Sequence, residues 1–93
     1  MIGCEVHKRC TGTKRLVVHH SPPRSWATAA GKPWSGVKHT LCDNAHEGEV
    51  HYGIDENLRH GKLVSHYSAK VRALVYETFD LAEKQGLTPR ATL

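Results

Sequence analysis

Histidine and cysteine, whose side chains bind transition metals, are concentrated at particular points of this 93-residue chain. It contains eight histidines and three cysteines. Imidazole nitrogen and thiolate sulfur are the usual ligands of Zn²⁺ in proteins, so the spacing of these residues predicts metal binding. The candidates form three groups, which are Cys4, His7 and Cys10, then His19 and His20, then Cys42, His46 and His51.

The adjacent pair His19-His20 has the arrangement that hydrolysis of a phosphodiester requires. That reaction needs a nucleophilic water, a base that takes its proton, and a cation that stabilises charge on the phosphate. A histidine with a pKa near 6.5 is a suitable base at neutral pH. Successive side chains on a strand point to opposite faces. One of the two histidines can therefore bind a metal while the other activates water.

Charge is unevenly distributed and predicts a polyanionic partner. The formal net charge is +4, with a balance of +6 in residues 1–40 and −2 in residues 41–93. A basic half of this kind favours nucleic acid as the partner. Lys14, Arg15 and Arg24 are the candidate DNA-contacting residues in this half.

The small size and the odd number of cysteines favour a metal over disulfides as the stabilising element. Ninety-three residues correspond to one domain, and domains this small commonly need a metal, disulfides or oligomerisation for stability. Three cysteines do not make a closed disulfide framework. The first ten residues do not resemble a signal peptide, and no apolar run is long enough to span a membrane. We therefore expect a cytoplasmic protein.

The residue pattern predicts two short strands, a loop and two helices. Residues 15–20 and 37–42 are the strands, separated by a long loop over residues 21–36 that contains three of the four prolines. A helix is expected from Asp43 or Asn44, with Asn44 and Glu47 as a capping pair and Gly53 as its end. A second, stronger helix begins near Ser65 or Ser68 and ends before Gly86.

Two stretches together carry a resemblance to a known family. Residues 16–20 read LVVHH, and residues 41–51 read LCDNAHEGEVH. This pair resembles the HNH endonucleases, and especially the small phage and bacterial members, over about residues 4–53. The resemblance implies an α+β fold with a zinc-stapled ββα-metal, treble-clef-like core over about residues 15–53. A packing helix over about 65–86 then completes a single domain of 93 residues.

Roles for individual residues follow from the resemblance by position. It implies that His20 is the general base and that His19 and His51 bind the catalytic metal, which is Mg²⁺, Mn²⁺, Ni²⁺ or Zn²⁺. It also implies a structural Zn²⁺. Three of its ligands are Cys10, Cys42 and His46, and the fourth is either Cys4 or His7. Ala45 stands where the second cysteine of the family's knuckle is expected, and His46 is the obvious substitute. The family's middle asparagine is absent, and His39 is a candidate replacement.

These features predict a metal-dependent DNA endonuclease that acts alone or within a larger phage or bacterial complex, in the host cytoplasm if phage-encoded. The alternative is a non-catalytic, zinc-stabilised module that binds nucleic acid. The absent asparagine and the altered knuckle favour the module. The pair His19-His20 together with His51 favours the enzyme, because a structural module has no need of a further metal-type cluster.

Overall fold

The computed structural model describes residues 4, 15–61 and 68–91. Strand β1 (Leu16–Ser21) is followed by the short helix α1 (Arg24–Ala29) and strand β2 (Val37–Cys42). A continuous helical stretch comes next, made of α2 (Asp43–Ala45), a π-helix (His46–His51) and α3 (Tyr52–His60). Helix α4 (Ala69–Gln85) completes the described chain. The predicted α+β fold class is confirmed.

Strands β1 and β2 form a two-stranded antiparallel sheet. In the register of this sheet, His19 lies opposite His39 and His20 lies opposite Lys38. Burial alternates along β1, because His19 and Ser21 are fully buried whereas Val18 is about half exposed. One face of the sheet therefore packs on the core, and the two adjacent histidines lie on opposite faces as predicted.

The helix after β2 is longer than the sequence analysis predicted. It continues through Gly53 to His60, and Gly61, with a φ of 73°, caps it in the left-handed conformation. A glycine inside a helix costs about 1 kcal/mol. Val50 and Ile54 are fully buried on either side of Gly53. Burial of a side chain of this size contributes about 1.5–3 kcal/mol, which outweighs the propensity of the glycine.

Two further local predictions were wrong. The N-cap of α2 is Cys42, whose Sγ accepts a hydrogen bond from the Ala45 backbone N–H at 3.4 Å, and not Asn44 paired with Glu47. The predicted loop over residues 21–36 contains α1, which buries Trp26 and Ala27. A six-residue helix has no apolar periodicity long enough to be recognised in sequence. Burial of the Trp26 side chain in the core stabilises α1 instead.

Helix α4 begins and ends where the sequence predicts. The Ser68 side chain accepts a hydrogen bond from the Val71 backbone N–H, and Gly86 caps the end with a φ of 70°. Val71 and Val75 on its inner face are fully buried. The helix packs against β1, the π-helix and α3, so it covers the side of the core that the small sheet leaves open.

Contacts from the end of α4 hold the segment between α1 and β2. Gln85 donates a hydrogen bond from its side chain to the carbonyl oxygen of Ser35 at 2.8 Å, and Lys32 donates to the carbonyl oxygen of Gln85 at 2.8 Å. The indole of Trp26 donates to the carbonyl oxygen of Arg90 at 3.1 Å. Residues distant in sequence thus fix the loop beside the end of β1. None of the described helices is long and apolar enough to cross a membrane.

Gly36 allows β2 to begin close to the end of β1. A Cβ at position 36 would collide with the carbonyl oxygen of Ser21 and touch the ring of Pro22. We expect Gly36→Ala to lower the free energy of unfolding by about 1–3 kcal/mol, because the colliding atom is backbone and cannot turn away. Urea denaturation measures the change. Gly48→Ala is the control, because a Cβ there meets nothing within 4 Å. Equal stability of Gly36→Ala and the parent would contradict the close approach.

Candidate metal centre

Three histidines from two elements converge on one point. His19 lies on β1, and His46 and His51 lie at the two ends of the π-helix. One ring nitrogen from each lies within 4.8 Å of those of the other two. The Nε2 atoms of His46 and His51 are 2.9 Å apart. Two nitrogens bound to one tetrahedral Zn²⁺ at about 2.0–2.1 Å lie roughly 3.3 Å apart, so the separation of this pair is close to that of two ligands of one ion.

The π-helix is what places His46 and His51 together. Residues five apart in an α-helix are rotated by about 140° around the axis, which puts their side chains on different faces. The wider turn of a π-helix, with its i→i+5 hydrogen bonding, brings them onto one face. Both then point toward β1, with ring centroids 5.5 Å and 5.1 Å from that of His19. Short π-helical segments are frequent at functional sites.

His19 is buried in a way that calls for a ligand. Its exposed fraction is 0%, and neither ring nitrogen has a hydrogen-bond partner among the described residues. A buried polar group without a partner costs about 1–3 kcal/mol. Buried polar side chains in folded proteins are nearly always hydrogen-bonded or bound to a metal. A metal ion bound by one nitrogen of His19 would supply the missing partner.

The three histidines are neutral near pH 7, which is the form that binds metals. Burial, followed by the proximity of His51 and His46, lowers the pKa of His19 to about 3. Burial and then His46 lower the pKa of His51 to about 4, although Asp55 acts in the opposite direction. Burial also lowers the pKa of His46. The rings therefore carry no net charge that an ion would have to overcome, although the hydrogen bond between the Nε2 atoms of His46 and His51 has to be given up when an ion binds.

An open cavity of about 160 Å³ lies beside the histidine cluster. His20 lines this cavity and takes no part in the cluster itself. A larger cavity of about 220 Å³ lies near Trp26 and Arg90 and is lined by none of the candidate histidines. Of these two cavities, the smaller has titratable histidines at its wall, and its lining residues are Val18, His20, Pro23, Arg24, His46 and His51.

Two cations and one aromatic ring surround His20. Partial burial, then Arg24 and then Lys38, lowers its pKa from the ordinary value of 6.5. The ring of Trp34 meets the imidazole edge-to-face, with centroids 4.9 Å apart and planes at 82°. His20 is thus a neutral imidazole near pH 7 at the wall of the cavity, in the protonation state of a general base.

His39 links the site to α4. Its Nε2 lies 2.6 Å from a carboxylate oxygen of Glu77, and its ring stacks against that of His19 with centroids 6.4 Å apart. Because Glu77 lies on α4, this contact ties the C-terminal helix to β2 at the residue that stacks on His19. A supporting role for His39, open from sequence, is the one this geometry favours.

The predicted cysteine site is described only in part. Cys4 and Cys42 are both buried within the same core cluster, whereas His7 and Cys10 lie outside the described residues. The structure groups His46 with His19 and His51, which differs from the predicted grouping of His46 with the cysteines. A structural zinc at the cysteines stays a prediction.

The predicted DNA-contacting residues are partly described. Arg15 is exposed immediately before β1, and Arg24 is exposed at the start of α1. Arg24 also lines the cavity beside His20, whereas Lys14 lies outside the described residues. One of the two described cations is therefore positioned to meet an anion near the histidine cluster.

Two features of the site were not predicted from the sequence. The five-residue spacing of His46 and His51 does not fit an α-helix, and this mismatch is the signal that could have indicated a π-helix. The contact between Trp34 and His20 had no sequence signal, because it depends on how the loop folds back over β1.

The chain matches no protein-family model, and comparisons with curated proteins and with solved structures found no similar protein.

Membership of His46 in the metal centre can be tested with Ni²⁺, which binds imidazole well. We expect His46→Ala to weaken Ni²⁺ binding at least ~10-fold in isothermal titration calorimetry, since even second-shell changes cost that much. His60→Ala is the control, because His60 is exposed at the last turn of α3. Unchanged Ni²⁺ affinity in His46→Ala would remove His46 from the centre.

The buried histidines also make the stability of the metal-free protein depend on pH. His19 has a pKa of about 3 in the folded protein and an ordinary value of 6.5 when unfolded. Below pH 6.5 the unfolded chain takes up a proton that the folded chain does not. This histidine therefore removes about 1.4 kcal/mol of unfolding free energy per pH unit as the pH falls from 6.5 to about 4.

Urea denaturation of metal-free protein between pH 7 and pH 4 measures this dependence. The His19→Asn variant serves as the comparison, because its side chain does not titrate. We expect the loss of stability over this range to be shallower in the variant. Parallel curves for the parent and the variant would show that His19 is not held neutral in the folded protein.

Proposed function

We propose that this protein is a metal-dependent endonuclease that hydrolyses DNA phosphodiester bonds, built on a ββα-metal core of the HNH type. The observation that carries the proposal is the position of the three-histidine cluster beside an open cavity that also contains His20 and Arg24. Two strands followed by a helix, with ligands from the first strand and from the helix, is the arrangement that the resemblance implies.

The ligand set favours a catalytic over a structural ion. Structural zinc sites are closed by four protein ligands, whereas catalytic sites have three and leave a position for water or substrate. His19, His46 and His51 supply three. Imidazole ligands suit Zn²⁺ and Ni²⁺, whereas Mg²⁺ prefers oxygen, so we propose Zn²⁺ or Ni²⁺ rather than Mg²⁺. When bound, such an ion stabilises the charge that develops on the phosphate and on the leaving oxygen.

The residues around the cavity have separate roles in the proposed reaction. Arg24 contacts a phosphate oxygen and orients the backbone of the nucleic acid. His20 accepts a proton from water as the water oxygen forms its bond to phosphorus. The bond from phosphorus to the leaving nucleoside oxygen breaks with its electron pair on that oxygen, which takes a proton from solvent. His20 then returns its proton to solvent, and one water has been consumed.

The basic N-terminal half supplies the wider DNA contact in this proposal. Arg15 is exposed next to β1, and Lys14 precedes it in the sequence. Phosphate contacts of this kind give affinity without sequence preference. A structural zinc held by Cys42 with the N-terminal cysteines, and with His7 as a further candidate ligand, belongs to the same proposal.

The proposal is tested by cleavage of supercoiled plasmid in the presence of Zn²⁺, Ni²⁺, Mn²⁺ or Mg²⁺, with EDTA as the metal-free comparison. We expect cleavage by the parent with an imidazole-binding ion. His20→Ala should lower the cleavage rate by about 10²-fold or more, the usual contribution of a general base. Ni²⁺ affinity should persist in that variant, because His20 is outside the cluster.

Two comparisons make the result specific. His51→Ala should lose both cleavage and Ni²⁺ binding, whereas His60→Ala, at the exposed end of α3, should retain both. Cleavage by His20→Ala at the parental rate would show that His20 is not the base. A parent that binds DNA but does not cleave it with any of these ions would favour the non-catalytic zinc-stabilised binding module.

A further inference from the structure

His20 lacks the support that usually orients a catalytic histidine. In most such sites one ring nitrogen donates a hydrogen bond to a carbonyl or carboxylate, which fixes the ring while the other nitrogen reacts. Hydrogen bonds to the ring of His20 are absent from the part of the chain that the structure describes. The ring is partly exposed, so something other than a hydrogen bond has to set its orientation.

The aromatic ring of Trp34 is the group in position to do so. It meets the His20 imidazole edge-to-face at 4.9 Å between centroids, within the range in which aromatic pairs attract each other. An edge-to-face contact restricts rotation of the smaller ring, because turning the imidazole out of its plane either loses the contact or drives the two rings together.

Trp34 is itself held firmly. Its indole N–H donates a hydrogen bond to the carbonyl oxygen of Pro22 at 2.7 Å, and its ring packs against the hydrophobic core. The backbone beside it is tied to α4 through the hydrogen bond from Gln85 to Ser35. The ammonium of Lys38 lies 5.9 Å from the centroid of its ring. These contacts restrict the movement of the indole, so it provides a fixed surface for the ring of His20.

We propose that Trp34 is a positioning residue that sets the orientation of the His20 imidazole through their edge-to-face contact. This inference rests on the proposed nuclease function, in which His20 is the base. Trp34 touches neither the metal nor the substrate in this scheme. Its removal should therefore change the rate of the chemical step and leave metal affinity and the Michaelis constant nearly unchanged.

Three variants separate positioning from a general loss of stability. Trp34→Leu keeps a smaller apolar side chain and removes the aromatic rings, whereas Trp34→Phe keeps one aromatic ring and loses the other together with the indole N–H. Phe79→Leu is the matched control, because Phe79 is another partly buried aromatic residue that packs on the core away from His20. Cleavage rates are measured at a temperature where circular dichroism shows that each variant is folded.

We expect kcat of Trp34→Leu to fall by about 10- to 100-fold, the effect of misplacing a reacting group, with KM and Ni²⁺ affinity near the parental values. Trp34→Phe should restore most of kcat, and Phe79→Leu should leave kcat unchanged. A parental kcat in Trp34→Leu would overturn the inference. So would a loss of kcat accompanied by an equal loss of Ni²⁺ affinity, which would indicate damage to the metal centre.

Nuclear magnetic resonance of His20 provides a readout that does not depend on cleavage. The ring protons of His20 should carry a ring-current shift from Trp34 that disappears in Trp34→Leu, and the order parameter of the side chain should fall. Unchanged shifts and order in that variant would contradict the inference, whatever the activity. If the parent never cleaves DNA, the proposed function fails, while these spectra still decide whether Trp34 fixes the His20 ring.

Discussion

The burial of His19 is the constraint on which the rest of the site depends. This side chain is fully enclosed, and both of its ring nitrogens are without hydrogen-bond partners among the described residues. Such a residue destabilises a small domain unless something binds it. The elements around it are arranged accordingly, since His46 and His51 approach from the helix and leave a space suited to one ion. In the proposed metal centre, metal binding and folding are coupled, because an ion bound by His19 would satisfy the enclosed ring only in the folded protein.

The π-helix reconciles the spacing of the ligands with the packing of the helix that carries them. An α-helical path through residues 46–51 would place His46 and His51 on different faces, about 140° apart around the axis. The wider turn lets His46 and His51 face β1 while Val50 and Ile54 stay in the core. Unusual helical geometry at this point is therefore tied to the site, in keeping with the common occurrence of π-helical turns at functional positions.

Because side chains alternate between the two faces along β1, the adjacent residues His19 and His20 have different surroundings. His19 faces inward and joins the cluster, whereas His20 faces the cavity that Arg24 also lines. Each histidine also has a neighbour from another part of the chain. Glu77 on α4 contacts His39, whose ring stacks on that of His19, and Trp34 from the segment between α1 and β2 contacts His20. The two histidines of β1 are thus supported by parts of the chain up to 58 positions away, counted from His19 to Glu77.

The sequence by itself determined both strands, the opposite orientations of His19 and His20, and the start and end of α4. These follow from local rules: strand alternation, β-branched residues, a serine cap and a glycine end. The tertiary structure decided where the middle helix ends, because burial of Ile54 outweighs the local cost of Gly53. It also decided that His46 joins His19 and His51, and that Trp34 meets His20. Those contacts depend on a change of helical turn and on a loop held by α4, and no local spacing rule encodes packing between residues so far apart in the chain.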